Sequence, residues 1–341
     1  MSESGRPASR PPTLYDVAAL AEVSHMTVSR YVQGQTSIRP DRRERIERAI
    51  AELGYQPNLT ARSLATNRSH RIGALVYEMA ELGPMRILDG ATARAREAGY
   101  LLDVVSPDPT NDRAIAEAVA LLNQSALAGV LVFAPTDGVL AALADVRFSV
   151  PVLVESEATG EDAGGPTFNE AGVRLAVEHL VELGHRSFFQ IAGPDGWLAS
   201  RGRSRGYHAA LAAHGLTSAG TAVGDWTAGS GHEAGLAVPV DAGVTAVVAG
   251  NDQMALGALA ALADRGVRVP GDVSVVGFDD IPEAQYFRPA LTTVRLDFVA
   301  QGRLMVERLL DAIDGASGPR REELRPELVT RSSTALLSPR R

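Results

Sequence analysis

The stretch Thr13–Gly34, TLYDVAALAEVSHMTVSRYVQG, constrains this chain more than any other. It divides into two short helical patterns around a tight turn. Leu14, Val17, Ala18, Leu20 and Ala21 recur at spacings of three and four, which gives the first helix an apolar stripe. Ser24 stands where an N-cap belongs, its hydroxyl able to accept from a free backbone N–H of the second helix. From His25 to Val32 the pattern turns Val28 and Val32 inward and leaves His25, Met26, Thr27, Ser29 and Arg30 on outward faces. A short helix, a turn and a second helix with a polar, basic outer face predict a helix-turn-helix, whose second helix enters the DNA major groove.

Charge is divided to suit that reading. The whole chain of 341 residues carries −8, yet residues 1–71 hold 11 Arg against 7 Asp plus Glu, a net of +4. The remainder therefore carries −12, an acidic body that repels phosphate behind a small basic head. Every fixed positive side chain is Arg, since there is no Lys. There is no Cys either, which excludes disulfides, thiol catalysis and thiolate metal sites. No apolar run approaches the roughly 20 residues needed to span a bilayer, and the opening MSESGRPASRPPT lacks the apolar core of a secretory signal. Residues 1–12 are expected as a disordered tail of a cytoplasmic protein.

After the head, RPDRRERIERAIAEL at 39–53 predicts a third helix with Ile46, Ala49, Ile50 and Leu53 on one face, begun at Pro40–Asp41 and ended by Gly54. Leu59–Ala65 is too short and too polar to be a stable helix alone. From Arg71 the rhythm changes. Short apolar runs at 72–76, 101–105, 129–133 and 151–154 predict strands, with helices between them near 84–98, 113–124 and 138–144. A second series predicts helices at 170–183, 200–214 and 253–265, and strands at 187–192, 246–249 and 273–277. Alternation of this kind predicts an α + α/β chain with two subdomains of parallel sheet covered by helices, and a ligand crevice at the C-terminal strand ends.

The residues TLYDVA (13–18), VS (23–24), TVSR (27–30) and Y-x-PN (55–58) occur in an order and spacing that resembles the lac repressor (LacI–GalR) family of transcription regulators. That resemblance implies a helix-turn-helix domain over 13–57 and a hinge helix and linker over 58–71. It implies a periplasmic-binding-protein-like effector domain over 72–331, doubly wound, with a near lobe of 72–168 and 297–325. The far lobe would be 169–296 and 326–331, with 332–341 a tail. Because 332–341 shows no leucine heptad, a homodimer is expected in preference to a tetramer.

The resemblance also implies partners: palindromic double-stranded operator DNA and a small-molecule effector, a sugar, with no cofactor, no metal, no catalysis and no membrane. Arg30 is the expected base reader, since Arg pairs with guanine O6 and N7. His25 and Met26 take the early positions that choose operator sequence in the family. Tyr15, Thr27 and Ser29 are expected to hold phosphate, and Ser24 and Asn58 complete the DNA-facing set. Arg62 of the hinge would meet phosphate or groove, and Leu64 would wedge into the minor groove.

For the effector, strands that run into Gly250-Asn251-Asp252 and Gly277-Phe278-Asp279-Asp280 locate the crevice edge. Sugar hydroxyls need planar partners such as Asp, Asn and Arg, and sugar C–H faces pack on aromatic rings. By resemblance Arg203, Asn251 and Asp279 meet hydroxyls, while Trp226 and Phe298 are pocket walls. Tyr77, Gly83, Pro84 and Ile87 would line the near-lobe side, with Phe168 completing the apolar wall. Trp197 lies just after a strand in IAGPDGWLASRGRSRGY and joins the set. Ala199 replaces a pocket serine of the pattern, and the near-lobe acceptor is either Ser156 or Glu155.

Other readings stay open from sequence. Asp252 and Asp280 can be helix caps, Arg203 and Asp279 a structural ion pair, and the two Trp core aromatics. A purine-like corepressor that strengthens DNA binding is the alternative to a sugar inducer.

Overall fold

The computed structural model describes residues 10, 12–32, 38–55, 69–77, 82–144, 146–155, 167–316 and 324–337. The chain divides into two compact units, one up to His70 and one from Arg71 onward. Asn58, Arg62 and Leu64 lie outside the described residues.

In the first unit, helix α1 (Leu14–Leu20) starts from a capping box: Asp16 Oδ2 accepts from Thr13 N at 2.7 Å while the Thr13 hydroxyl accepts from Asp16 N. Helix α2 (His25–Val32) starts at Ser24, whose Oγ accepts from Thr27 N at 3.2 Å. Helix α3 (Pro40–Leu53) has Pro in its first turn and stops at Gly54, which sits at φ 60°. This left-handed stop is the conformation that favours glycine. Val17, Ala18, Ala21, Val28, Ile46 and Ala49 form the buried core of this unit. Leu20, expected in the stripe, is exposed instead. The helix ends there, and Ala21 in the turn takes the inward place. Tyr31 Oη donates to Glu47 Oε1 at 2.9 Å and ties α2 to α3.

The second unit holds two sheets. The first has strands β1 (Arg71–Leu75), β2 (Leu101–Val105), β3 (Gly129–Phe133) and β4 (Val152–Glu155), all parallel, in the order β2-β1-β3-β4. Helices α4 (Leu82–Glu97), α5 (Asp112–Gln124) and α6 (Asp137–Ala144) connect them. Then follow α7 (Phe168–Glu182), β5 (Phe188–Ala192), α8 (Leu198–Ala213), β6 (Ser218–Val223), α9 (Ala228–Leu236), β7 (Ala246–Ala249), α10 (Asp252–Asp264) and β8 (Ser274–Phe278). The chain continues through β9 (Thr292–Arg295), α11 (Phe298–Ile313) and β10 (Glu327–Val329). The second sheet runs β10-β9-β8-β7-β5-β6, parallel except that β10 pairs antiparallel with β9. Helix α11 returns to pack against α4 and the first sheet, where Met305, Val306 and Leu309 join Ile72, Ala74 and Leu131 in one core.

Four elements escape the sequence reading, each for a local reason. Helix α9 (AGSGHEAGL) is glycine-rich and has little intrinsic helix preference. It forms because it lies backbone to backbone on α10: a Cβ on Gly231 would fall 2.2 Å from the Met254 carbonyl oxygen. Strand β6 (SAGTAV) is an edge strand of small residues. Strand β9 carries Thr292 and Thr293 fully buried, with their hydroxyls hydrogen-bonded to Thr334 and Asp252. Helix α11 has its apolar stripe interrupted by Gly302.

Residues 332–337, expected as tail, instead lie along the second sheet. Ser333 is fully buried, its Oγ donating to Val275 O at 2.6 Å, and His185 Nε2 meets Ala335 O at 3.1 Å.

Candidate functional site

In the head, the outward face of α2 is as the helical spacing requires. His25, Met26 and Arg30 are exposed, and Thr27 and Ser29 partly so. Tyr15 of α1 is exposed and its ring lies 5.3 Å from that of His25. Thr27 Oγ1 is 2.9 Å from Ser24 Oγ, so these two hydroxyls belong to the helix start as well as to its outer surface. One apolar side chain, Met26, thus stands among polar and basic neighbours on the water-facing side of the helix.

The body has a cleft of about 220 Å³ lined from both sheets. Arg203, in the second turn of α8, is its centre. It is 7% exposed, and its guanidinium donates to three acceptors: Asn169 Oδ1 at 2.7 Å, the Gly250 carbonyl, and Asp279 Oδ1 at 3.0 Å. Its Cζ lies 4.0 Å from the Phe278 ring centroid and 5.4 Å from that of Trp226. Arg suits this place because a planar fork can bond three ways and stack at once. Sequence leaves open whether Arg203 and Asp279 form an ion pair or meet a ligand. They are an ion pair, and that pair faces the cleft.

Burial pushes the Asp279 carboxyl above its usual range, and the Arg203 charge opposes that rise. Asp279 sits at φ 99°, Asp280 at φ 49° and Trp226 at φ 74°. Non-glycine residues held there are strained, and strain of this kind gathers at functional sites. The Trp226 turn is held by its neighbours. The hydroxyls of Ser230 and Thr227 draw the Asp225 carboxyl down to about 2, and Asn251 Nδ2 donates to Trp226 O at 2.9 Å.

Pro84, Ile87, Phe168, Trp197, Arg203, Trp226, Asn251, Asp279 and Phe298 all line the cleft. Gly83 is there too, against the Phe298 ring. Tyr77 is not. Its side chain, 2% exposed, turns into the core of the first sheet with Ile115, Val119 and Val132, because it continues β1 toward that core. Its Oη has no hydrogen-bond partner among the described residues, and burial pushes its pKa up.

Asn251 lines the cleft, but its amide is largely engaged. Its Oδ1 caps α10 by accepting from Met254 N at 2.8 Å, so Asn251 and not Asp252 is the cap. Asp252 is wholly buried and accepts from Thr293 Oγ1 at 2.6 Å and Ile281 N at 2.8 Å. Burial pushes its carboxyl well above the usual range. Asp280 is no cap either; it pairs with Arg331 at 2.6 Å and Arg295 at 2.7 Å.

Several lining residues were missed from sequence: Leu82, Ala134, Pro135, Asn169, Leu296 and Gln301. Gln301 had a signal, one helical turn beyond Phe298 on α11. Of the two near-lobe acceptors, Glu155 lines the cleft and Ser156 lies outside the described residues. The two lobes meet beside the cleft where Leu198 N donates to Pro135 O at 2.8 Å and Arg201 bonds both oxygens of Asp137 at 2.7 and 2.8 Å.

A helix-turn-helix head and a body of two α/β lobes, with an aromatic-walled cleft between the lobes that carries a buried Arg–Asp pair, define a ligand-responsive DNA-binding protein. Residues 13–58 match the family described as bacterial regulatory proteins, lacI family, and residues 177–334 match a periplasmic binding protein-like domain. The chain is 35% identical to the lactose operon repressor of Escherichia coli (strain K12) over 329 residues, covering 95% of this chain and 91% of that protein. A crystal structure of the lac repressor dimer bound to operator and the anti-inducer ONPF superposes with a TM-score of 0.82 at 35% identity, covering 96% of this chain and all of that one. A complex of the transcriptional regulator CelR with cellobiose gives 0.68 at 32% identity, over 94% of this chain and 99% of that one. The chain belongs to the lacI family and is a DNA-binding transcriptional regulator, not an enzyme. Among the described residues no helix is long and apolar enough to cross a membrane.

Proposed function

We propose that this protein is a repressor of carbohydrate-utilisation genes, released from a palindromic operator when a sugar fills the cleft between the lobes. The observation that carries this reading is the buried Arg203–Asp279 pair, set against Phe278 and Trp226 and facing a cleft walled by Phe168, Trp197 and Phe298. Fixed charge-assisted donors and acceptors beside aromatic faces suit hydroxyls and C–H faces together. The relatives are consistent with it: one is a lactose operon repressor, another was solved with cellobiose. The protein works as a homodimer in the cytoplasm, at the nucleoid, each head placing α2 in a major groove. Arg30 reads bases, His25 and Met26 set sequence preference, Tyr15, Thr27 and Ser29 hold phosphate, and Ser24 and Asn58 complete the DNA-facing set. In the hinge, Arg62 meets phosphate or groove and Leu64 wedges into the minor groove.

A thermal-shift screen of mono- and disaccharides tests the cleft. At a hundredfold excess over Kd a true ligand adds about 2.7 kcal/mol to stability. The parent should gain melting temperature with that sugar, and Arg203→Ala should gain none. Equal gains would remove Arg203 from the site. A purine base that outperformed every sugar would favour the corepressor reading.

A further inference from the structure

The cleft has a second polar pair. On the near-lobe side Glu155, the last residue of β4, accepts from Gln301 Nε2 at 3.1 Å through Oε1, and both side chains line the cavity. Gln301 sits on α11 one turn beyond Phe298, so the helix that supplies an aromatic wall also supplies this amide. The lining also carries apolar surface, with Ile87, Leu296 and Phe298 among it. The cavity thus holds a polar pair from each lobe together with apolar walls.

That arrangement selects by hydrogen bonding. A carboxylate such as Glu155 only accepts, so the group that meets it must donate. The Gln301 amide, having given one N–H to Glu155, keeps a second N–H and its carbonyl oxygen. An apolar group against this pair would strand those atoms on closure, and a stranded buried polar group costs more than a made bond gains.

We propose that Gln301 is a specificity-determining residue: with Glu155 it forms a subsite for a second hydroxyl-bearing unit of the effector. The ligand is then a sugar with hydroxyls for both pairs, such as a disaccharide, in preference to a sugar with an apolar substituent. This rests on the sugar reading of the cleft proposed above.

The test is titration calorimetry of the full chain with cellobiose, lactose, and the propyl β-glycosides of glucose and galactose. The parent should bind one disaccharide at least about tenfold more tightly than the matching propyl glycoside, as expected where a site is built to hydrogen-bond its ligand. Gln301→Leu should reverse that order, losing disaccharide affinity about tenfold and gaining propyl-glycoside affinity. If Gln301→Leu does not fold, Gln301→Met keeps the length without the amide and is read the same way. Glu155→Gln should weaken the disaccharide without favouring the propyl glycoside. A loss only of stability, or equal change for both ligand types, would overturn the specificity role and leave the sugar cleft standing. If neither disaccharide nor glycoside binds the parent, or Arg203→Ala binds as well as the parent, both readings fall together.

Discussion

Gly302 of α11 rests directly on Ile87 of α4: a Cβ at Gly302 would stand 1.9 Å from the Ile87 carbonyl oxygen. The contact is reciprocal, since a Cβ on Gly90 would fall 2.0 Å from Val299 O. Two helices that line the cleft, one with Pro84 and Ile87 and the other with Phe298 and Gln301, are therefore joined as one wall. Gly302→Ala should cost about 1–3 kcal/mol through overpacking. Gly196→Ala, where a Cβ meets nothing within 4 Å, should stay within about 0.5 kcal/mol. Denaturant midpoints measure both, and equal midpoints would refute the crossing.

Arg203→Ala strands a largely buried carboxylate on Asp279. Breaking such a pair costs about 3–5 kcal/mol at neutral pH. Without its counter-charge the Asp279 carboxyl, already raised by burial, rises further. A group whose folded pKa lies above its unfolded value lends stability below the unfolded pKa and loses it as pH rises through the folded one. The deficit of Arg203→Ala should therefore be smaller at pH 5 than at pH 8. Urea titrations at the two pH values check this; a deficit independent of pH would contradict it.

How much of this was legible beforehand varies by residue. Ser24 and Gly54 declared the head because caps and stops are local chemistry, and Val17 and Val28 followed from helical spacing. Asp279 and Asn251 were found because they end apolar strands. The Arg203–Asp279 pair was among the readings open from sequence, but the other two acceptors of Arg203 were not legible, since Asn169 and the Gly250 carbonyl are brought to it from distant segments. Nor was the turning of Tyr77 into the core, which depends on the helices that cover β1. Helix α9 was hidden because its glycines, poor by propensity, are required by close packing on α10.

Acid should loosen the second sheet. His185 is 2% exposed and bonds Thr245 Oγ1 and Ala335 O, and His179 meets Thr334 Oγ1 at 3.0 Å. Burial lowers the pKa of both below 6.5. Unfolded His takes up its proton first as pH falls, so stability drops from about pH 6.5 downward. Melting temperature should fall between pH 7.5 and 5.5, and fall less in His185→Gln. An identical slope in that variant would exclude His185 as a cause.

Met26 stands exposed on the reading helix and can contact a thymine methyl, which polar side chains do not favour. Selection from random duplexes should return a palindrome. Met26→Gln should change the preferred base at one position per half-site by about 1–3 kcal/mol, while Tyr15→Phe should weaken all sequences alike. Unchanged preference in Met26→Gln would remove it from base reading.

The most direct measurement of the central claim is the affinity of the inducing sugar for the free protein and for the protein saturated with its selected operator. Linkage makes the two ligands oppose each other equally, so operator should weaken sugar binding by a factor of about 5–150, or 1–3 kcal/mol. Equal affinities in the two states would contradict release of the operator by the occupied cleft.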